Sequence, residues 1–147
     1  RKEFHMSEIK EKEEKIISEY YATIYEAFLK YVDEEKPYLE PDVSLDSICI
    51  ALGTNRSYLS KAINLCSEIG FAQIINKYRV EYTIEYMKKH PKALIGEITI
   101  QCGFGTASNF FYAFRRETGM TPKDWFRNYS REKSGKKKGL LFKSNPD

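Results

Sequence analysis

The sequence predicts an all-α fold, and three observations support that prediction. Apolar residues recur at helical spacings of three, four and seven over several stretches. Residues that cap helices precede these stretches, and glycine or proline follows them. No stretch alternates apolar and polar residues as a half-buried strand would.

The first predicted helix covers residues 7–35. Its apolar positions are Ile9, Ile16, Tyr20, Ile24, Ala27, Phe28 and Tyr31. The part through Glu19 is very polar, so we expect a lone helix or one that needs a partner, such as a short coiled coil. The later part is richer in aromatic residues and is expected to join the core. Two prolines in KPYLEPD, residues 36–42, predict a loop.

Three further helices are predicted up to residue 90. Ser44 caps the first of them, and Gly53 ends it. Asn55 caps the second, whose apolar positions are Leu59, Ile63 and Cys66. Residues 71–89 form the third, a long helix that stops at His90 and Pro91. Its inward positions are Phe71, Ile74, Ile75, Tyr78, Tyr82, Tyr86 and Met87.

The remaining chain predicts three more helices. A short one covers residues 95–102 and ends at Gly103. Thr106 caps the next, which turns Phe110, Ala113 and Phe114 inward and ends at Gly119. Thr121 followed by Pro122, a cap and a proline at the first helical position, starts the last one.

Composition limits the function. The 147 residues suffice for one domain or two very small ones, and no apolar run approaches the roughly 20 residues that span a bilayer. The three cysteines have no metal-ligand spacing and are expected to be buried thiols in a reducing cytosol. The sequence argues against an enzyme, because its two histidines have no Ser or Cys nucleophile arranged with them. In addition, no glycine-rich phosphate-binding loop follows a predicted strand. We therefore predict no catalytic residue, no metal and no cofactor.

The charge is divided unevenly along the chain. Residues 1–52 carry a net charge of −6, residues 53–131 carry +6 and residues 132–147 carry +3. A basic second half suggests a polyanionic partner.

The central helices occur twice. The two copies match at an offset near 50. The matched positions are Ile48 with Ile98, Gly53 with Gly103, Leu59 with Phe110 and Ala62 with Ala113. Each copy is a short helix, a glycine-containing turn and a second helix. This is a helix-turn-helix, whose second helix can enter the major groove of DNA.

Residues 45–129 resemble the DNA-binding domain of the arabinose-regulator (AraC/XylS) family. The most specific stretch is ITIQCGFGTASNFFYAFRRETGMTPKDW, residues 98–125, and LGTNRSYLSKAIN and INKYRV add to it. The resemblance implies a monomeric seven-helix unit in which a long connecting helix joins two helix-turn-helix motifs, and we expect an extra N-terminal helix before this unit. It also implies that the two motifs read successive major grooves, about 34 Å apart.

The resemblance further implies a transcription regulator, usually an activator that works with RNA polymerase on double-stranded DNA. We expect a helical leader over residues 1–35, which links to a sensor domain upstream, and self-association through residues 7–35. The DNA-binding domain is expected at 36–131 and a basic flexible tail at 132–147. Two locations stay open: the cytoplasm, or the cytoplasmic part of a membrane-anchored regulator, because RKEFH at the start is basic.

The sequence departs from the family pattern at four places. Cys49 and Thr99 replace the small alanine of each first helix, Ile100 replaces a polar residue, and Thr83 replaces an alanine of the connecting helix. Phe111 and Tyr112 stand where polar or basic residues commonly face DNA.

The outward positions of the two second helices give the candidate DNA contacts. In the first motif these are Arg56, Ser57, Ser60, Lys61 and Asn64, of which Asn64 has the alternative of capping the helix end. In the second motif they are Ala107, Ser108, Phe111 and Tyr112. Arg115, Lys123 and the backbone amide of Thr106 are candidates for phosphate contact, and Arg79 is expected either to brace the two motifs or to touch phosphate.

Three questions stay open from the sequence alone. Phe111 is either a DNA contact or additional core, and Arg115 and Arg116 are either phosphate contacts or a solvated helix end. The whole domain is either a DNA reader or a degenerate helix-turn-helix that binds another protein.

Overall fold

The computed structural model describes residues 2–137, apart from the side chains of residues 4, 136 and 137. Within these residues all regular structure is helical, which confirms the predicted class. The elements are α1 (Lys2–Glu35), a short 3₁₀ helix (Pro37–Leu39), α2 (Leu45–Leu52), α3 (Arg56–Cys66), α4 (Phe71–Lys89), α5 (Ile95–Gln101), α6 (Ala107–Thr118) and α7 (Pro122–Lys137). The long N-terminal helix is one of these seven α-helices.

The chain folds into two compact units, Arg1–Tyr78 and Arg79–Asp147, which divide within α4. Each unit contains one helix-turn-helix pair, α2 with α3 in the first and α5 with α6 in the second.

The core of the first unit forms between the second half of α1 and the helices that follow it. Phe28 and Val32 of α1 are fully buried, and the Phe28 ring packs against Phe71 with 6.1 Å between centroids. Tyr38 of the 3₁₀ helix stacks on Tyr78 at 5.6 Å. The first half of α1 has only exposed side chains among those described. The predicted contrast between the two halves of this helix is therefore confirmed.

The core of the second unit is built around the aromatic residues of α6. Phe110 and Phe114 are fully buried, and the buried residues that pack with them are Val80, Met87, Ile98, Cys102, Phe104 and Ala113. Trp125 and Phe126 of α7 pack against this cluster.

The two turns repeat the same hydrogen bonds, which confirms the internal repeat. The amide of Thr54 donates to the carbonyl of Cys49, and the amide of Phe104 donates to that of Thr99, each at 3.0 Å. Gly53 and Gly103, which adopt left-handed φ values of 69° and 86°, both donate to the carbonyl three residues earlier. Glycine takes this conformation without the steric cost that a Cβ would add.

One inserted residue distinguishes the second turn from the first. Gly105 has a φ of 79° and its amide donates to the Thr99 carbonyl at 3.3 Å. After this insertion the offset between the copies becomes 51, so Asn55 and Thr106 are equivalent caps. Their side chains accept from the amides of Tyr58 and Asn109, as their sequence positions predict.

Two details differ from the sequence-based expectation. Cys49 and Cys102 are buried, but Cys66 is exposed, so the prediction of three buried thiols is wrong for Cys66. The reason is that α3 ends at Cys66, beyond the last turn that packs on the core. In addition, α7 continues through Lys137, and residues 138–147 of the predicted tail lie outside the described residues.

Candidate nucleic-acid interface

The first reading helix is α3, and the tight turn after α2 presents its outer face. Ser44 caps α2 through reciprocal hydrogen bonds with Ser47, and Asn55 caps α3. The inner face of α3 is buried and carries Leu59, Ala62 and Ile63. Four of the five predicted contacts are exposed and Ser60 is half-buried; the exposed four are Arg56, Ser57, Lys61 and Asn64. Asn64 is not the C-cap of α3, because that position is taken by Ser67.

Two of these side chains already have partners within the first unit. The guanidinium of Arg56 lies 3.3 Å from the Asp46 carboxylate in an exposed ion pair. The ammonium of Lys61 lies over the Tyr21 ring, 5.4 Å from its centroid. Exposed pairs of this kind are weak and salt-screened, so either cation can leave its partner for a phosphate or a base edge.

Sequence reasoning missed that α1 runs beside the first reading helix. Tyr58 of α3 contacts the rings of Tyr20 and Tyr21, with centroids 6.0 and 6.4 Å apart. No local pattern indicates this contact, because Tyr58 lies off the core face of α3 and its partners are 37 or 38 residues away in the sequence. The only signal was the aromatic enrichment of the later part of α1.

The second reading helix is α6. Ala107, Ser108, Phe111, Tyr112 and Arg115 are all exposed. Phe111 is 43% exposed and Tyr112 is 61% exposed. The structure therefore excludes Phe111 from the buried core, because Phe110 fills the position beneath it.

The two sets of candidate contacts occupy equivalent positions. At the offset of 51 that relates the two caps, each outward residue of α3 corresponds to an outward residue of α6. The pairs are Arg56 with Ala107, Ser57 with Ser108, Ser60 with Phe111, Lys61 with Tyr112, and Asn64 with Arg115. The same face of each helix is thus presented twice, with polar and basic residues in α3 and with more apolar ones in α6.

The remaining candidates lie near helix ends or on α4. Thr106 and Lys123 are exposed at the starts of α6 and α7. Arg79 is only 8% exposed, and burial lowers the pKa of its guanidinium. A group this buried is poorly placed for an open phosphate contact, whereas its bracing role stays a prediction.

Other kinds of site find little support in the part of the chain that the structure describes. Residues 2–137 contain no group of three or more His, Cys, Asp and Glu side chains that could hold a metal ion. None of their helices is long and apolar enough to cross a bilayer.

The two helix pairs define a double helix-turn-helix domain. In each pair a side chain caps the second helix, which has a buried apolar face and an exposed polar or aromatic face. The sequence pattern of the helix-turn-helix domain family matches residues 48–128. The chain belongs to this family, which confirms the resemblance to the AraC type and places the chain among DNA-binding domains rather than enzymes.

Individual relatives agree with this assignment. The transcriptional activator RhaR of Salmonella dublin is 31% identical over 87 residues, which are 59% of this chain and 30% of that protein. RhaR of Salmonella schwarzengrund matches to the same extent. The match thus spans less than a third of the relatives' length.

Solved structures show the same fold. The C-terminal domain of AraT, a response regulator from Geobacillus stearothermophilus, is 25% identical with a TM-score of 0.60, over 71% of this chain and 84% of that one. A DNA-binding transcriptional dual regulator from Escherichia coli K-12 is 24% identical with a TM-score of 0.56, over 61% and 79% of the two chains. The latter likeness concerns the fold alone.

Proposed function

We propose that this chain is the DNA-binding part of a transcription regulator, and that α3 and α6 read base edges in successive major grooves. The observation that carries the proposal is the doubled motif, in which five outward positions of α3 recur on α6 behind equivalent caps. The proposed contacts are the five residues on each helix, of which Arg115 lies at a phosphate, together with Thr106 and Lys123 at phosphates. The activator RhaR among the relatives supports activation. RNA polymerase as a partner follows from that proposed role.

The experiment that tests this function is selection of binding sites from random DNA, followed by affinity measurements on the selected site and a scrambled one. We expect salt-sensitive binding that prefers the selected site, because phosphate contacts release counterions and base contacts provide the discrimination. Equal affinity for both sequences would contradict sequence-specific reading.

Single substitutions in the first reading helix test its individual contacts. Lys61→Ala or Arg56→Ala should weaken binding to the selected site by about 1–3 kcal/mol if the contact is bidentate to a base. Lys30→Ala, which removes an exposed lysine from α1, is the matched control and should leave affinity nearly unchanged. A uniform loss on all sequences would instead indicate a phosphate contact.

We infer further that α1 leads from an upstream sensor domain and pairs with α1 of a second copy. The matched relatives extend well beyond the shared region, which supports a further domain. Exposed apolar residues Met6, Ile9, Ile16 and Tyr20 follow the three- and four-residue steps of a coiled-coil seam. Glu13 also lies on that seam, and Lys12 of the second copy, which lies next to the seam, can pair with its carboxylate. A regulator of this kind acts in the cytoplasm, either free or as part of a membrane-anchored protein.

One observation favours a second candidate function, a protein-binding module on the same fold. Phe111 and Tyr112 make the outer face of α6 unusually apolar, and apolar side chains are common at protein interfaces. This function predicts a stable protein complex through α6 and no retention on DNA at low salt.

A further inference from the structure

The outer face of α6 carries two aromatic side chains that the fold does not need for its core. Phe110, Ala113 and Phe114 fill the space beneath the helix, and all three are buried. Phe111 and Tyr112 occupy the positions that Ser60 and Lys61 hold on α3. At these two equivalent positions the reading face is therefore polar on α3 and aromatic on α6.

Each ring has a partner within α6. Phe111 stacks on Phe110, with 5.5 Å between ring centroids and 24° between ring planes. The hydroxyl of Tyr112 accepts a hydrogen bond of 3.0 Å from the guanidinium of Arg116, one turn later on the helix. Because this hydroxyl accepts from Arg116, its own proton remains to be donated outward.

The two rings flank a common line along α6. Ser108 and Arg115 are seven residues apart and define the outermost line of the helix, opposite its buried face. Phe111 lies on one side of this line, one turn after exposed Ala107, so the two form a small apolar strip. Tyr112 lies on the other side.

The chemistry of base edges indicates what such a strip recognises. Among the four bases, only thymine presents a methyl group in the major groove, the 5-methyl group next to its O4 acceptor. Guanine, cytosine and adenine offer hydrogen-bonding groups that an alanine and a phenylalanine cannot satisfy, and covering those groups without a partner costs free energy.

We propose that the second motif recognises thymine, through contact of the Phe111 ring and the Ala107 methyl with the thymine 5-methyl group. The inference rests on the proposed DNA-binding function and assigns the base preference of its second reading helix. Tyr112, positioned by Arg116, donates to an acceptor beside that thymine, either a base edge or a phosphate oxygen.

The test removes single methyl groups from the DNA. In the site selected from random sequences, each thymine is replaced in turn by deoxyuridine, which keeps base pairing and lacks only the 5-methyl group. Binding of the 147-residue chain is then measured at one fixed salt concentration. We expect one or two positions, all in the half of the site read by α6, at which the loss of the methyl group weakens binding about fourfold, which corresponds to about 0.8 kcal/mol per methyl-sized group.

Protein variants then assign this effect to Phe111. With Phe111→Ala, thymine and deoxyuridine should bind equally well at the sensitive position. Lys30→Ala, the control outside both reading helices, should keep the full fourfold difference. Phe111→Leu keeps an apolar side chain and should keep part of the difference, which separates loss of contact from loss of folding.

Two results would overturn the inference. One is a wild-type protein that binds its selected site but responds to no methyl removal in either half. The other is a Phe111→Ala variant that still distinguishes thymine from deoxyuridine. Failure of the wild-type chain to prefer any DNA sequence would contradict the proposed function itself, and this is seen before any deoxyuridine is introduced.

Discussion

Asp46 and Arg56 form an exposed ion pair at the start of the first helix-turn-helix, 3.3 Å apart. Arg56 must leave this partner before it contacts DNA, and the carboxylate also repels nearby phosphates. We therefore expect Asp46→Asn to bind DNA more tightly, by about 1.4- to 5-fold, because exposed ion pairs are worth about 0.2–1 kcal/mol. The gain should shrink as salt is raised, since surface charges are then screened.

The matched control for this substitution is Glu11→Gln, which removes the same charge from the exposed first half of α1. A titration of labelled DNA at two salt concentrations measures both variants. If Asp46→Asn bound more weakly than the wild-type chain, Asp46 would be supporting Arg56 in its DNA-bound position and not competing for it.

Thr99 is a residue whose burial predicts a stabilising substitution. It is buried in α5, and its hydroxyl makes no hydrogen bond within the described residues. A buried hydroxyl without a partner costs about 1–3 kcal/mol, and alanine also has the higher helix propensity. Thr99→Ala should therefore raise the free energy of unfolding by about 0.5–2 kcal/mol once the small lost packing is subtracted.

Denaturant unfolding of three variants separates the contributions at this position. Thr99→Ser keeps the hydroxyl and loses the methyl group, so it should destabilise the second unit. Thr83→Ala should also destabilise it, because the Thr83 hydroxyl donates to the Arg79 carbonyl at 2.7 Å. A Thr99→Ala protein less stable than Thr99→Ser would show that the hydroxyl is satisfied in solution.

At the scale of helices, the sequence was most informative where interactions are local. The caps Ser44, Asn55 and Thr106 were predictable because each side chain bonds an amide only three residues ahead. The contacts of Tyr58 with α1 were not predictable, because a helical period shows which face is apolar but not which distant helix covers its edge. The exposure of Phe111 was equally undecided, since a phenylalanine beside the core face fits either environment.

The link between α4 and α5 predicts a pH dependence. The Tyr86 hydroxyl hydrogen-bonds to the Glu97 carboxylate, and this bond is the main cause that raises the pKa of Tyr86 to about 12. The fold favours the protonated phenol, so its stabilising contribution is complete below pH 10, the ordinary tyrosine pKa, and is lost as the pH rises through about 12.

Tyrosinate absorbance during an alkaline titration checks this directly. We expect one late-titrating tyrosine that disappears in Tyr86→Phe and shifts toward the ordinary pKa in Glu97→Gln. Tyr20→Phe, which alters an exposed tyrosine of α1, is the control and should leave the late step unchanged. A late step that persists in Tyr86→Phe would assign the raised pKa to a different tyrosine.

At the scale of the whole molecule, the question is how many copies act together. The first half of α1 exposes Met6, Ile9, Ile16 and Tyr20 along one seam, and a helix gains stability mainly by burying such a face. We expect the chain to form a dimer whose population rises with concentration, with a parallel rise in helix content as the first half of α1 is stabilised.

Sedimentation equilibrium and circular dichroism over a concentration series measure this dimer. Ile16→Asp should shift the chain to monomer, because it replaces an apolar seam residue with a second carboxylate in each copy, one turn after Glu13, where buried charge is costly. Ile50→Asp is the matched control, since Ile50 is 79% exposed on α2, outside the seam, and should leave the dimer intact.

Loss of the dimer should also weaken binding to DNA that carries two adjacent sites more than to DNA that carries one, because the second binding event is then no longer intramolecular. A wild-type chain that stays monomeric at high concentration would contradict pairing through α1, while leaving the reading helices and their proposed contacts unaffected.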